Sequence, residues 1–148
     1  MIKKALCIQG SGGNGKTRTI RLILDNLLHR GATLTNWADT IFPVADKNAD
    51  CCVIIDYCGK RIGIESQGDP YSRQASSLKK FVEQQCDVIV CACRSKRTTV
   101  YNVQALTKSD YEIIWTSNLV ARPSHLWALA NQHSADFFAQ VIDDLARQ

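Results

Sequence analysis

The sequence has no apolar stretch approaching the ~20 residues needed to cross a bilayer, so neither a membrane-spanning helix nor a membrane partner is expected. Its first apolar run follows Met1-Ile2-Lys3-Lys4 and stops at Gln9-Gly10, too short for the core of a secretory signal. No C-x-x-C pair occurs among the seven cysteines, and no nearby histidine completes a zinc set. Internal repeats and low-complexity tracts are also missing, which leaves the 148 residues as a single domain, large enough for a three-layer core. Neither sign of charge dominates. Eighteen Lys and Arg against fourteen Asp and Glu give a net charge of +4. By charge alone that is too little for a nucleic-acid partner, yet enough to attract an anionic substrate. Cys7, Cys51, Cys52, Cys91 and Cys93 fall inside apolar runs, where thiols behave as small buried hydrophobes. Core thiols and no leader point to the reducing cytoplasm.

What is present begins with Gly10-Ser11-Gly12-Gly13-Asn14-Gly15-Lys16-Thr17. Glycines let a backbone turn tightly and approach a phosphate without a Cβ in the way, so that successive N–H groups point into one concavity. In such a loop the lysine adds a point charge for terminal phosphates, and the hydroxyl of Thr17 can ligate Mg²⁺. Context matters, because the motif works only between a strand and a helix. Ala5-Leu6-Cys7-Ile8 is a short apolar run suited to a buried strand. After the loop, Ile20, Ile23, Leu24, Leu27 and Leu28 recur at the spacing of an amphipathic helix, and Gly31 stands where a C-terminal cap belongs.

On this motif and its flanks, about a fifth of the chain, the protein resembles the P-loop NTPase superfamily. The resemblance implies a three-layer α/β/α fold. Its mostly parallel sheet would have five strands in the order 2-3-1-4-5, with the loop strand central and one antiparallel edge hairpin. It also implies nucleoside triphosphate binding by Gly10 to Thr17, with Mg²⁺ as cofactor.

The remaining segments refine this picture. Residues 32–50 show no period, and so long a connection in a compact domain is usually functional. Trp37 and Phe42 serve equally well to pack the loop down. Cys51 to Tyr57 and Arg61 to Glu65 are two strand signals with a glycine between them, which reads as an antiparallel hairpin. A hairpin here resembles the GTPase-like branch. Ligands of α/β sheets bind beyond the carboxyl ends of parallel strands. Asp56 therefore lies at the far end, roughly 20 Å away at ~3.3 Å per residue. Asp69 and Glu65 are the leading magnesium partners, although Asp69-Pro70 also reads as an N-cap and first turn of the helix over 71–85. That helix carries Ala75, Leu78, Phe81 and Val82 inward.

Asp87 to Cys93 is the most apolar strand signal and ends at the basic run Arg94-Ser95-Lys96-Arg97. Arg94 or Arg97 suits the arginine-finger role of offsetting charge on a transferring phosphoryl group. Gln67 is a candidate to orient water. Thr99 starts a short helix, Tyr111–Thr116 is the last strand, and Ser124 opens a helix with Leu126, Ala130, His133, Phe137, Val141 and Leu145 on its inner stripe.

Three functions remain open: hydrolysis of a nucleoside triphosphate, a small-molecule or nucleotide kinase with an acceptor in place of water, and a nucleotide-dependent module that captures a protein partner. GTPases carry N-K-x-D after the strand equivalent to 87–93, and this chain does not. ATP is therefore expected over GTP. In competition binding, GTP should not be favoured, and a tenfold preference for it, about 1.4 kcal/mol, would overturn the expectation.

Overall fold

The computed structural model describes residues 1–13 and 15–148, so Asn14, expected in the phosphate cradle, lies outside the described residues. Among the described residues the chain forms a mixed α/β fold of six strands and four α-helices. In chain order these are β1 (Lys4–Gln9), α1 (Lys16–His29), β2 (Thr33–Leu34), β3 (Cys52–Tyr57) and β4 (Lys60–Glu65). They continue with α2 (Gln74–Glu83), β5 (Val88–Cys93), α3 (Thr98–Gln104), β6 (Glu112–Thr116) and α4 (Trp127–Ala146). None of these helices is long and apolar enough to cross a membrane.

The sheet order is β2-β3-β4-β5-β1-β6. Strands β4, β5, β1 and β6 are mutually parallel, whereas β3 is antiparallel to both of its neighbours. This corrects the expected order in two ways. A sixth strand exists, and β5 lies between β4 and the loop strand β1 instead of on the far side of β1. Burial fits the observed positions but does not distinguish the two orders, since both keep β5 internal and β6 at the edge. A central parallel strand must be apolar on both faces, and every residue of β5 is buried, whereas β6 is only partly covered and takes the edge. The two-residue β2 escaped notice because both its side chains are exposed and it is too short to show a period. Since β2 pairs with β3, the hairpin does not form the sheet edge.

The hairpin itself is as expected. Cys58 (φ 52°) and Gly59 (φ 74°) connect Tyr57 to Lys60, and two left-handed residues in succession make the mirror-type turn whose twist suits paired strands.

Alternation along the strands divides the core into two layers. Leu6, Ile8, Val53, Ile62 and Val90 pack against Ile20, Leu24 and Leu27 of α1 and Phe138 and Ile142 of α4. Ala5, Cys7, Ile54, Ile89 and Cys91 face Leu78 and Phe81 of α2 and Val103 of α3 on the opposite side. Trp37 packs on Phe81 at 5.7 Å between ring centroids, which fastens the start of the long connection to the sheet.

Two helix expectations need correction. Helix α2 starts at Gln74, because the Ser72 hydroxyl donates to the Asp69 carbonyl and closes a separate turn first; Asp69 is not its N-cap. Gln74 is buried in place of Ala75, its amide donating to the Ala92 and Thr99 carbonyls. In α4 the inner face runs through Ala130, Ser134, Ala135, Phe138, Ala139 and Ile142, leaving His133 exposed and Phe137 65% exposed. Small residues there let α4 approach α1; of the expected stripe, Ala130 and Leu145 are buried and Val141 packs against the core, while His133 and Phe137 are not on the inner face.

The far end of α4 is tied to β3 by a buried hydrogen bond from the Tyr57 hydroxyl to Asp143, which also accepts from Arg147 Nε at 2.9 Å. Arg147 first, and Tyr57 second, hold the Asp143 carboxyl below its ordinary value of 3.8. A carboxyl lowered by folding contributes stability that is complete above the unfolded value and is lost as pH falls through the folded one. Wild type should therefore exceed Asp143→Asn in stability at neutral pH. Urea titrations should show that margin shrinking as the pH drops below about 4, and a constant margin would contradict the assignment.

Candidate functional site

Four connections meet at the carboxyl edge of the parallel strands. They follow β1, β4, β5 and β6, and the antiparallel β3 adds the residues that precede it. The turn after β1 is anchored where the Gly10 N–H donates to the Cys93 carbonyl at the end of β5. Gly13 (φ 80°) and Gly15 (φ 74°) are left-handed, a conformation that costs other residues about 1 kcal/mol or more. Gly12 meets a different restriction: a Cβ there would lie 2.8 Å from the Arg94 guanidinium. Gly15 also abuts Asn131 of α4, whose Oδ1 would be 2.5 Å from an added Cβ.

Lys16 opens α1 and is 7% exposed. Its ammonium donates to the Gly10 carbonyl at 2.9 Å and the Ser11 carbonyl at 2.8 Å. Burial pushes its pKa down from the ordinary lysine value, Asp69 opposes that shift and Arg94 adds to it. A cation held by carbonyls alone, with a second cation nearby, is placed to attract an anion into the turn.

The carboxylates divide sharply. Thr17 Oγ1 lies 3.4 Å from Asp50 Oδ1. Asp50 also accepts from Ser66 Oγ at 2.8 Å and Gln67 Nε2 at 3.2 Å. Asp69 is 63% exposed and pairs with Arg94 Nε at 2.8 Å. Glu65 is wholly buried and fully engaged, accepting from Arg73 Nε (2.8 Å), Ser77 Oγ (2.6 Å) and the Gln67 N–H (2.8 Å). Asp56 faces Arg61 across the hairpin. The Arg61 carbonyl accepts from the Asp87 N–H, and the Asp87 carbonyl from the Lys4 N–H at the start of β1, which sets Asp56 at the opposite edge.

Of the residues singled out from the sequence, the fold thus gathers Gly10, Gly12, Gly13, Gly15, Lys16, Thr17, Gln67, Asp69 and Arg94. It leaves Arg97 exposed at the start of α3, with no side-chain hydrogen bond or ion pair among the described residues. It turns Glu65 into an internal counter-charge for Arg73.

A cleft of about 480 Å³ lies among these groups, lined by Gly12, Gly13 and Gly15 to Arg18 on one side and by Asn48, Asp50, Ser66 to Asp69 and Ser72 on the other. Trp127 stands at its margin and is shared with an adjoining cleft of about 320 Å³. The second cleft is lined by Leu119 to Arg122, Trp127, Ala130 and Asn131, together with Gly13 and Gly15. The Trp127 indole is held by a hydrogen bond from Nε1 to the Ala121 carbonyl at 2.8 Å.

Asp50 and this second cleft were missed in the sequence. Asp50 had a usable signal. If the hairpin is antiparallel, the residue before its first strand lies at the same edge as the residue after its second. Trp127 and Asn131 had none, because they are brought in by helix packing. No group of three or more His, Cys, Asp or Glu suited to a metal occurs among the described residues. Mg²⁺ needs none, being commonly held by one or two protein oxygens together with phosphate and water, and Thr17 with Asp50 fits that pattern. No family profile, curated protein or solved structure matches this chain.

The two kinds of carboxylate should respond differently to neutral substitution. Glu65→Gln leaves Arg73 without its counter-charge and should lower stability by about 1–3 kcal/mol. Asp50→Asn keeps a side-chain oxygen in a half-buried position and should cost less than about 1 kcal/mol. Equal losses in chemical denaturation would contradict the division.

Proposed function

We propose that this chain binds a nucleoside triphosphate, ATP in preference to GTP, with Mg²⁺, and hydrolyses it in the manner of P-loop NTPases. One observation carries the reading: Lys16 and Thr17, at the start of α1, share a single cleft with Asp50 and Asp69, and the Arg94 guanidinium reaches that cleft's rim against Gly12 and Asp69. That cleft adjoins a second, mainly apolar one. A triphosphate has the charge for the first and an aromatic base has the shape for the second. Trp127 offers a face for stacking and Asn131 an amide for hydrogen bonding. The described residues lining the second cleft include no carboxylate, the usual partner for guanine's adjacent N–H donors, which agrees with a preference for adenine.

The roles follow from the chemistry. The N–H groups of the glycine turn hold phosphate oxygens, and Lys16 exchanges its carbonyl partners for the terminal phosphates. Thr17 and Asp50 would hold the metal, which when bound neutralises charge on the β and γ oxygens. Gln67, already fixed on Asp50, is in reach of the cleft to orient water. Arg94 can leave Asp69 for the transferring phosphoryl group; Arg97, exposed at the start of α3, is the alternative for that role. Asp50 thus replaces Asp69 and Glu65 as the leading metal carboxylate, and Asp69 serves as the resting partner of Arg94. The seven free thiols, six of them buried, suit the cytoplasm.

A small-molecule or nucleotide kinase is the second reading. It is favoured by the openness of the Asp69–Arg94 side of the cleft, which leaves room for an acceptor.

Lys16→Ala tests the common premise. It should fold, and its affinity for ATP in calorimetric titration should fall by at least about tenfold, the loss of one charge-assisted contact set. Unchanged affinity would remove the functional assignment. Phosphate release without any added acceptor then separates hydrolase from kinase.

A further inference from the structure

The segment that delivers Asp50 is fastened to the same helix that carries Thr17. Arg21 stands one turn beyond Thr17 on α1 and is 1% exposed. One terminal guanidinium nitrogen donates to the Pro43 carbonyl at 2.9 Å and the other to the Asp46 carbonyl at 3.0 Å. Its guanidinium carbon lies 4.5 Å from the centroid of the Phe42 ring. The nearest carboxylate, Asp25, is 3.7 Å away and a third exposed. Arg18 adds a donor to the Lys47 carbonyl at 2.7 Å. The turn beyond is closed by the Asn48 N–H on Asp46 Oδ1 and the Ala49 N–H on the Asp46 carbonyl.

Burying a guanidinium against main-chain carbonyls is an expensive way to pack a core, and an apolar side chain of similar volume is often the more stable choice. A planar fork does what no apolar side chain can: it fixes two carbonyls three residues apart at once.

We propose that Arg21 is a positioning residue for metal binding. It holds residues 42–47 as a bracket on α1, so that Asp50 meets the Thr17 hydroxyl without further ordering of the chain. The proposal rests on the reading of the cleft as a Mg²⁺–nucleotide site. Segment 32–50 is then a fixed carrier of Asp50 and not a free switch. Ser66 and Gln67 orient the carboxylate itself, whereas the bracket sets the backbone from which it projects.

The test measures ATP affinity of the full chain with Mg²⁺ and with EDTA, for wild type, Arg21→Lys, Arg21→Met and Arg18→Ala. Affinity in EDTA should stay within about twofold of wild type in the two Arg21 variants, whose side chain lies outside the cleft lining; Arg18 lines the cleft, so its variant is compared only through the ratio of affinity with Mg²⁺ to affinity in EDTA. The enhancement by Mg²⁺ should fall by about tenfold in Arg21→Met, the scale of losing a residue that orients a metal ligand. It should fall less in Arg21→Lys, whose single ammonium can satisfy only part of the fork, and least in Arg18→Ala. Cleavage by trypsin after Lys47 should accelerate in the same order. If Arg21→Met does not fold, the half-buried Arg18→Ala and the conservative Arg21→Lys carry the test. A purely structural arginine would lower the melting temperature and leave the Mg²⁺ enhancement unchanged in the folded variants, and that result overturns the proposal. Wild type that fails to bind ATP at all would instead remove the nucleotide reading on which it rests.

Discussion

The structure depends on β1 lying parallel between β5 and β6. Once Ala5 to Ile8 are buried on both faces, the chain must leave the sheet at Gln9 and return as a helix on one side of it. The bond from the Gly10 N–H to the Cys93 carbonyl fixes the point of departure. Left-handed residues at Gly13 and Gly15 then allow the turn to close within six residues. Helix α1 can start there only because its first turn packs under α4, where Thr19 and Asn131 approach one another. The parallel neighbours end at the same edge, so whatever follows β4, β5 and β6 must gather around that turn.

Charge is then distributed by burial. Glu65 at the end of β4 is deepest, and there a carboxylate survives only with donors on all sides; Arg73, Ser77 and the Gln67 N–H provide them. Asp50 is shallower and accepts from three neutral donors, a set a cation can extend without displacing a salt bridge. Asp69 is the most exposed of the three, and its pair with Arg94 is the kind of surface interaction that contributes about 0–1 kcal/mol and is readily exchanged. The same residue type thus has three different capacities at one sheet edge. Only the middle case combines an accessible carboxylate with a hydroxyl opposite it.

Much of this was legible in the sequence. The apolar runs of β1, β3 and β5, the stripe on α1 and the short hairpin turn all report local physics, and each element stands where its pattern placed it. The strand order did not follow from the resemblance. The wholly apolar run Val88 to Cys93 marks β5 as an internal strand, but no local pattern tells whether β4 pairs with β1 or, as here, with β5. The inner face of α4 was read only in part: Ala130, Val141 and Leu145 pack inward, but small Ser134, Ala135 and Ala139 are buried where His133 and Phe137 were expected, and Phe137 stays in solvent. Asp50 was overlooked although the antiparallel argument that removed Asp56 also nominates the residue preceding Cys51. Arg21 offered no local signal, because a buried arginine inside a leucine-rich stripe is explained only by the segment that folds over it.

The central claim is that the turn from Gly10 to Thr17 and the paired clefts form a nucleotide site whose metal is held through Asp50. Thermal unfolding of the wild-type chain with ATP, GTP and inorganic triphosphate, each with Mg²⁺ and with EDTA, tests it most directly. At one hundred times its dissociation constant, a ligand of the native state adds about 2.7 kcal/mol, which for a chain of this size raises the melting temperature by roughly 5–10 °C. The account predicts the largest rise with ATP and Mg²⁺, a smaller one with triphosphate and Mg²⁺, and the loss of most of the difference in EDTA. No rise with any triphosphate at millimolar concentration in the presence of Mg²⁺ would contradict it.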